Sequence, residues 1–301
     1  MFGTPRPYTL VSVGAAVGTI ALKTAAWRIT GSVGLLSDAL ESGVNLVAAL
    51  AAFWALSLAA KPPDRSHHYG HFKAEYFSSG LESGLILLAA VLIIHAAVGR
   101  LQNPQPLDQL GIGLGLSLVA TALNGLVAVV LLRAARRFHS ITLRADAHHL
   151  LTDVWTSVGV VAGVGLVRLT GWNVLDPVIA IAVGLQIVVT GWSLLRETAS
   201  GLLDRALPEE EHRRLEALLA ERAGDGIAFH ALRTRVAGSR RFVNVHVLVP
   251  GSWSVQRGHD LCERLERDIA ALLPRSHVFT HLEPIEDPVS WNDERFRWEQ
   301  G

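Results

Sequence analysis

An all-α bundle of six transmembrane helices followed by a small α+β (αββαβ) cytoplasmic domain is the fold class that three observations predict. Half of the 301 residues are hydrophobic and only 18% are charged, and mean hydropathy is +0.32. About six apolar stretches, each near the ~20 residues needed to cross a bilayer, follow one another between Leu10 and Leu203. Past Leu207-Pro208 the chain becomes charged and its hydrophobic period changes.

The stretches run approximately from Tyr8 to Trp27, Gly34 to Leu58, Phe77 to Val98, Leu110 to Leu132, Leu143 to Leu166 and Val174 to Leu195. A large soluble helical protein would not need six such runs in succession. In the second part, Glu209 to Ala223 reads as an amphipathic helix with Leu215, Leu218 and Leu219 on one side. Phe229 to Val236 and Arg241 to Val249 read as strands, Val255 to Leu273 as a second helix and His277 to Glu283 as a third strand. The expected divisions are a membrane domain over 1–205, a soluble domain over 206–287 and a polar tail over 288–301 without a clear pattern.

Basic residues in short loops orient the spans. Lys61, Arg65 and Lys73 lie between the second and third, and Arg133, Arg136, Arg137 and Arg144 lie around the connection from the fourth to the fifth. The opposite loops carry little beyond Arg28, Arg100 and Arg168, so both termini are expected in the cytoplasm. No cleavable signal peptide is expected, because the first apolar run has no small-residue cleavage site after it. A single cysteine, Cys262, excludes a disulfide framework and agrees with a reducing compartment. Formal net charge is zero, which says nothing about nucleic acid, but no basic patch interleaved with aromatics occurs, and no nucleic-acid partner is expected.

The fifth stretch contains Asp146-Ala-His148-His149-Leu-Leu-Thr-Asp153. An Asp at the centre of a membrane helix costs roughly 2.5 to 3.5 kcal/mol on insertion scales, so ionisable groups there mark an ion or proton pathway. His149 and Asp153 are four apart, which sets imidazole and carboxylate on one helix face, both within reach of one cation. The second stretch repeats the logic: Glu41 and Asn45 are again four apart, with Asp38 one turn earlier. Either pair alone could serve interhelical hydrogen bonding. Two facing pairs can supply four ligands to one tetrahedral cation, its charge balanced by Glu41 and Asp153.

These residues resemble the cation diffusion facilitators, a family that exports divalent transition metals. The resemblance extends from the first span to about Pro288. In that family the second and fifth spans carry the intramembrane site, as Asp/His-x-x-x-Asp and His-x-x-x-Asp. His149 and Asp153 match the fifth-span pair, whereas Glu41 and Asn45 occupy the second-span positions with different residues. Asn45 offers a neutral carbonyl oxygen, a weak zinc ligand better tolerated by harder ions. The resemblance implies zinc first, through the nitrogen of His149, with iron, cobalt, manganese and cadmium open. Glu82, in Gly80-Leu-Glu82-Ser-Gly, either contributes charge to the site or serves packing.

Between the second and third stretches, Asp64-Arg-Ser-His67-His68-Tyr-Gly70-His71 holds one Asp and three His within eight residues, and Gly70 lets the backbone bend around them. Asp64, His67 and His71 match the family's cytoplasmic-loop metal site; His68 does not. His230, His246, His259 and His281 fall where bacterial zinc antiporters of the family bind a zinc pair at a homodimer interface, with Glu283 in place of an Asp and Leu282 in place of a polar neighbour. Strand alternation puts Val243, Val245, Val247 and Val249 on one face, so His246 points the other way, and His281 and Glu283 share a face. Leu202-Leu-Asp204-Arg-Ala-Leu-Pro208 resembles the family's linker, in which the Asp pairs with a Lys at the position of Lys73. That implies a structural and gating interlock.

The resemblance implies alternating access. Metal enters from the cytoplasm, is held between the second and fifth spans, and leaves outside as protons take its place at an imidazole whose ordinary range lies near ~6.5. The expected setting is a bacterial inner or plasma membrane, with metal ions, protons, the lipid bilayer and a second copy of the chain as partners. No enzyme is expected: an intramembrane metalloprotease would need a motif such as His-Glu-x-x-His, and His148-His149 is followed by Leu-Leu-Thr-Asp. A membrane-anchored metal sensor without transport is the reading from another class. It would not need His149 and Asp153 in an apolar span.

Overall fold

The computed structural model describes residues 3–30, 33–102, 112–172 and 174–291 of the chain. Two compact units are distinguished, Met1–Ser200 and Gly201–Gly301.

Among the described residues the first unit has six long helices: α1 (Arg6–Thr30), α2 (Val33–Ala59), α3 (Ala74–Gln102), α4 (Ile112–Phe138), α5 (Ile141–Thr170) and α6 (Leu175–Leu202). Four contain segments long and apolar enough to cross a membrane: Arg6–Ala25, Ala74–Gly99, Leu118–Phe138 and Pro177–Leu202. In α2 the apolar run is shorter, Asn45–Ala59. The distribution of side chains is inverted relative to a protein folded in water. Bulky Val91, Leu92, Leu126, Val189 and Trp192 face outwards, while Ala48, Ala52, Ala55, Ala90, Ala128 and Ala147 fill the contacts between helices. Small residues let backbones approach where lipid removes any hydrophobic drive for association. Gly191 of α6 shows the same need, since a Cβ there would stand 3.0 Å from side-chain carbons of Ile86 and Leu87 on α3.

The turn from α4 to α5 differs from the expected one. α4 continues to Phe138, so Arg133, Arg136 and Arg137 ride on its last turns and Arg144 lies inside α5; only His139 and Ser140 connect the two. Arg136 and Arg137 complement the partial negative charge at the end of α4. His139 makes the reversal at a φ of 52°. The Ser140 hydroxyl donates to Glu75 Oε2 at 2.5 Å and accepts from the Leu143 N–H, and the Thr142 hydroxyl donates to the Glu75 carbonyl at 3.1 Å. Arg144 pairs with Glu197, linking α5 to α6. The beginning of the expected fourth span, Leu110 and Gly111, lies outside the described residues.

The second unit contains α7 (Glu209–Arg222), β1 (Ala228–Ala237), β2 (Arg240–Val249), α8 (Val255–Leu272) and β3 (Ser276–Pro284), with a short 3-10 turn at Pro288–Trp291. The sheet order is β1-β2-β3, antiparallel between β1 and β2 and parallel between β2 and β3. Parallel pairing requires a crossover, which α8 supplies. Val243, Val245, Val247 and Val249 are buried with Leu215, Leu219, Leu261, Leu265 and Ile269 from the two helices. Fully burying such a side chain contributes roughly 1.5 to 3 kcal/mol. Arg241 forks onto Glu211 with two contacts of 2.6 Å, fixing the first turn of α7 to the sheet. Ser254 caps α8 by accepting from the Arg257 N–H.

The opposite sheet face is not uniformly polar. Phe242 is buried there under the Arg235 guanidinium, 4.1 Å from the ring centre, and beside the stacked His277 ring. The segment expected to lack pattern begins with order. Trp291 donates from its indole to the Ile285 carbonyl at 2.8 Å, and residues 292–301 lie outside the described residues.

Candidate metal centres

Helix periodicity carries His149 and Asp153 of α5 onto one face, and α2 brings Asn45 against both. Asn45 bridges them with its carboxamide: Nδ2 donates to Asp153 Oδ2 at 2.5 Å, and Oδ1 lies 2.7 Å from His149 Nε2. Because the amide N–H side is committed to a carboxylate, the carbonyl oxygen faces the imidazole. Asn45 and His149 are each 6% exposed. A further residue completes the group. Asn124 of α4, 4% exposed, donates from Nδ2 to the same Asp153 oxygen at 3.1 Å. Sequence reasoning missed it; the signal was a lone amide within Leu-Val-Ala-Thr-Ala-Leu-Asn124-Gly-Leu-Val. Glu41 and Asp38 lie on α2, and their side chains are outside the described residues.

In the loop between α2 and α3, Asp64, His67 and His71 place one ligand atom each within 4.8 Å of the others. The Asp64 carboxylate accepts the N–H groups of Ser66 and His67, both at 2.8 Å. Those backbone donors, Ser66 first, hold its carboxyl below the ordinary value of 3.8, with a further contribution from His71. Its oxygens lie 3.4 Å from His67 Nδ1 and 3.3 Å from His71 Nε2. Gly70 has a φ of +81°, and a Cβ there would stand 2.9 Å from the Phe72 ring. Only glycine makes that bend without strain. His68 is exposed and outside the group.

The sheet gathers a third set by register. His230 of β1 faces His246 of β2, which faces His281 of β3. Adjacent rings stand 4.9 and 5.0 Å apart. Glu283 shares the face of His281 and turns Oε2 to His230 Nε2 at 2.9 Å and to His246 Nδ1 at 3.1 Å, while Oε1 lies 3.5 Å from His281 Nε2. His230, His246 and Glu283 bring their ligand atoms within 4.8 Å of one another. Two imidazoles and a carboxylate form a donor set that suits zinc or another transition ion. His259 sits exposed in the first turns of α8, apart from this group. Asp204, at a φ of 58°, meets Arg235 at 3.2 Å. Lys73 lies just before α3.

Apolar helices thus bring an imidazole, a carboxylate and two amides together, and the same chain carries a second unit with its own imidazole cluster. Residues 9–203 match the cation efflux transmembrane domain, and residues 207–285 match the cation efflux protein cytoplasmic domain. The uncharacterized transporter sll1263 of Synechocystis sp. is 57% identical over 286 residues, covering 95% of this chain and 92% of that protein. The cation-efflux pump FieF of Klebsiella pneumoniae is 29% identical over 277 residues, covering 91% of each. A solved chain of CzrB, described there as a candidate zinc transporter, is 42% identical; it covers 26% of this chain and 96% of that one, with a TM-score of 0.25. The chain belongs to the cation efflux family, the cation diffusion facilitators.

Proposed function

We propose that the chain exports a divalent transition-metal ion, zinc first, from the cytoplasm in exchange for protons by alternating access. The observation that supports this most is the contact of Asn45 with both His149 and Asp153, which sets ligands from α2 and α5 around one point. Glu41, one turn before Asn45, is the fourth ligand in this reading. The neutral imidazole binds metal through Nε2, and proton uptake there expels it. Asn124 holds the Asp153 carboxylate in place as the ion arrives. In this reading all six long helices cross the membrane and both termini are cytoplasmic, in a bacterial inner or plasma membrane. The name of one relative, a cation-efflux pump, agrees with export of a cation.

The soluble domain, 206–287, pairs two copies of the chain, with His230, His246, His281 and Glu283 binding metal near that interface and His259 joining from α8. Asp64, His67 and His71 hold a further ion at the cytoplasmic loop. Lys73 and Asp204 act as the interlock between the third and sixth helices, and Arg235 competes for the same carboxylate.

The test is zinc uptake into inside-out vesicles with and without an imposed pH gradient, comparing the wild type with Asp153→Ala. Gradient-stimulated uptake that disappears in the variant is expected, and unchanged uptake in the variant refutes the site. No transport of any metal by the wild type favours the sensor. Competition among zinc, iron, cobalt, manganese and cadmium, repeated with Asn45→Asp, is expected to move the preference towards zinc. An unmoved ranking removes Asn45 from the ligand set.

A further inference from the structure

Besides Glu75 at the corner, two buried carboxyls among the described residues of the membrane unit take no part in the metal centres. Glu82 of α3 is 0% exposed, and neither of its carboxyl oxygens has a hydrogen-bond partner among the described residues. Asp146 of α5 is 2% exposed; its Oδ1 accepts from the Ser12 hydroxyl of α1 at 2.8 Å, and its Oδ2 has no partner among the described residues. The two belong to one seam. Ile86, one turn beyond Glu82, and Ala145, beside Asp146, are buried in the same cluster between α3, α5 and α6. The Ser78 hydroxyl, one turn before Glu82, is buried on the same helix.

Arg144 of α5 pairs with Glu197 of α6, and Glu75, earlier on α3, accepts from Ser140. His148, His149 and Asp153 are the remaining titratable groups in this part of α5, and His149 and Asp153 are bound up with Asn45. α2 contributes Asp38 and Glu41, whose side chains lie outside the described residues. Two carboxyls buried in a low-dielectric seam cannot both be bare anions. Among the described residues no imidazole or thiol joins them in a metal-ligand group, and a proton neutralises such a pair.

We propose that Glu82 and Asp146 form a proton-binding site distinct from the metal ligands, with Glu82 the group that gains and loses the proton during the transport cycle. The proposal rests on the exchange of metal for protons put forward above. When a divalent ion binds at His149 and Asp153, its charge favours the ionised carboxylate at Glu82, so a proton leaves; when the ion departs, a proton returns. Atoms and charge balance as carboxylic acid to carboxylate plus one released proton.

The full chain in lipid nanodiscs, titrated with Zn2+ in weak buffer, provides the test. Zn2+ binding to the wild type is expected to abolish an infrared carbonyl band of a protonated carboxyl. Glu82→Gln is expected to lack that band and to release about one proton fewer per Zn2+, with affinity for Zn2+ changed less than about threefold. Glu82→Asp restores both band and proton. Equal proton release and an unchanged band in Glu82→Gln overturn the proposal and leave Glu82 as packing. Should Glu82→Gln not fold, the wild-type band decides: its absence overturns the proposal, and its displacement in Asp146→Asn supports it. Wild-type uptake that ignores a pH gradient refutes the exchange reading itself. Uptake that responds, together with an unaltered Glu82→Gln, refutes only this site.

Discussion

The cluster borne by the helices and the cluster borne by the sheet use the same side chains under different constraints. In the sheet, ladder pairing places His230, His246 and His281 at adjacent positions, and their spacing is fixed as long as the strands are paired. On α5 the i, i+4 spacing aligns only His149 and Asp153; the third group comes from α2 and the fourth from α4. A small shift of α2 or α4 changes that set, whereas no rigid movement of the soluble unit changes the other. A site assembled between helices suits an ion that must leave, and a site built on one sheet suits an ion that stays.

Four perturbations would break or sharpen this contrast. Asp153→Ala removes the group on which Asn45 and Asn124 converge and is expected to reduce zinc uptake on the order of 100-fold while leaving metal binding by the sheet cluster intact; uptake in vesicles and zinc titration of the same preparation check both. Glu283→Gln is expected to weaken zinc binding at the sheet on the order of 10-fold to 100-fold, read by titration of the full chain, because one carboxylate faces three imidazoles there. Asn124→Leu should raise the zinc concentration for half-maximal uptake about 10-fold and leave the sheet cluster unaltered. An equal effect on both clusters would remove the distinction between them.

The smallest effect concerns the loop. Asp64 is held below its ordinary 3.8 by the Ser66 and His67 amides, so the sign is that of a depressed carboxyl. Its contribution is fully present above the ordinary value and is lost only as pH falls through the lowered one. Metal binding at Asp64, His67 and His71 is therefore not expected to weaken through protonation of Asp64 until pH falls below that ordinary value. Asp64→Asn should lower the affinity of the loop about 10-fold at neutral pH, read by zinc titration. Unchanged affinity removes Asp64 from the loop set.

Legibility in the sequence followed the range of the interactions. The strands and soluble helices were readable to within about two residues because Val243, Val245, Val247 and Val249 alternate strictly and the leucines of α7 repeat at helical spacing. The pair at His149 and Asp153 was readable because it lies on one helix. Hydropathy ended the fourth stretch at Leu132, since Arg133, Arg136 and Arg137 are polar, whereas backbone hydrogen bonding carries α4 on to Phe138. Asn124 was hidden because it has no polar partner four residues away; its partner is on another helix, 29 residues later. The contact of Ser12 with Asp146 spans 134 residues and has no local signature.

The two-residue corner at His139 and Ser140 has a mechanical consequence. Glu75 grips it twice, through its carboxyl to Ser140 and its carbonyl to Thr142. α5 is thus clamped at one end like a cantilever, with the start of α3 as its anchorage. Any rocking of α5 then pivots about this clamp, and displacement grows with distance along the beam: least at Asp146, greater at His149, and greater again at Asp153. Asp153 lies farthest from the pivot and travels farthest, so one rigid tilt separates it most from Asn45 and Asn124.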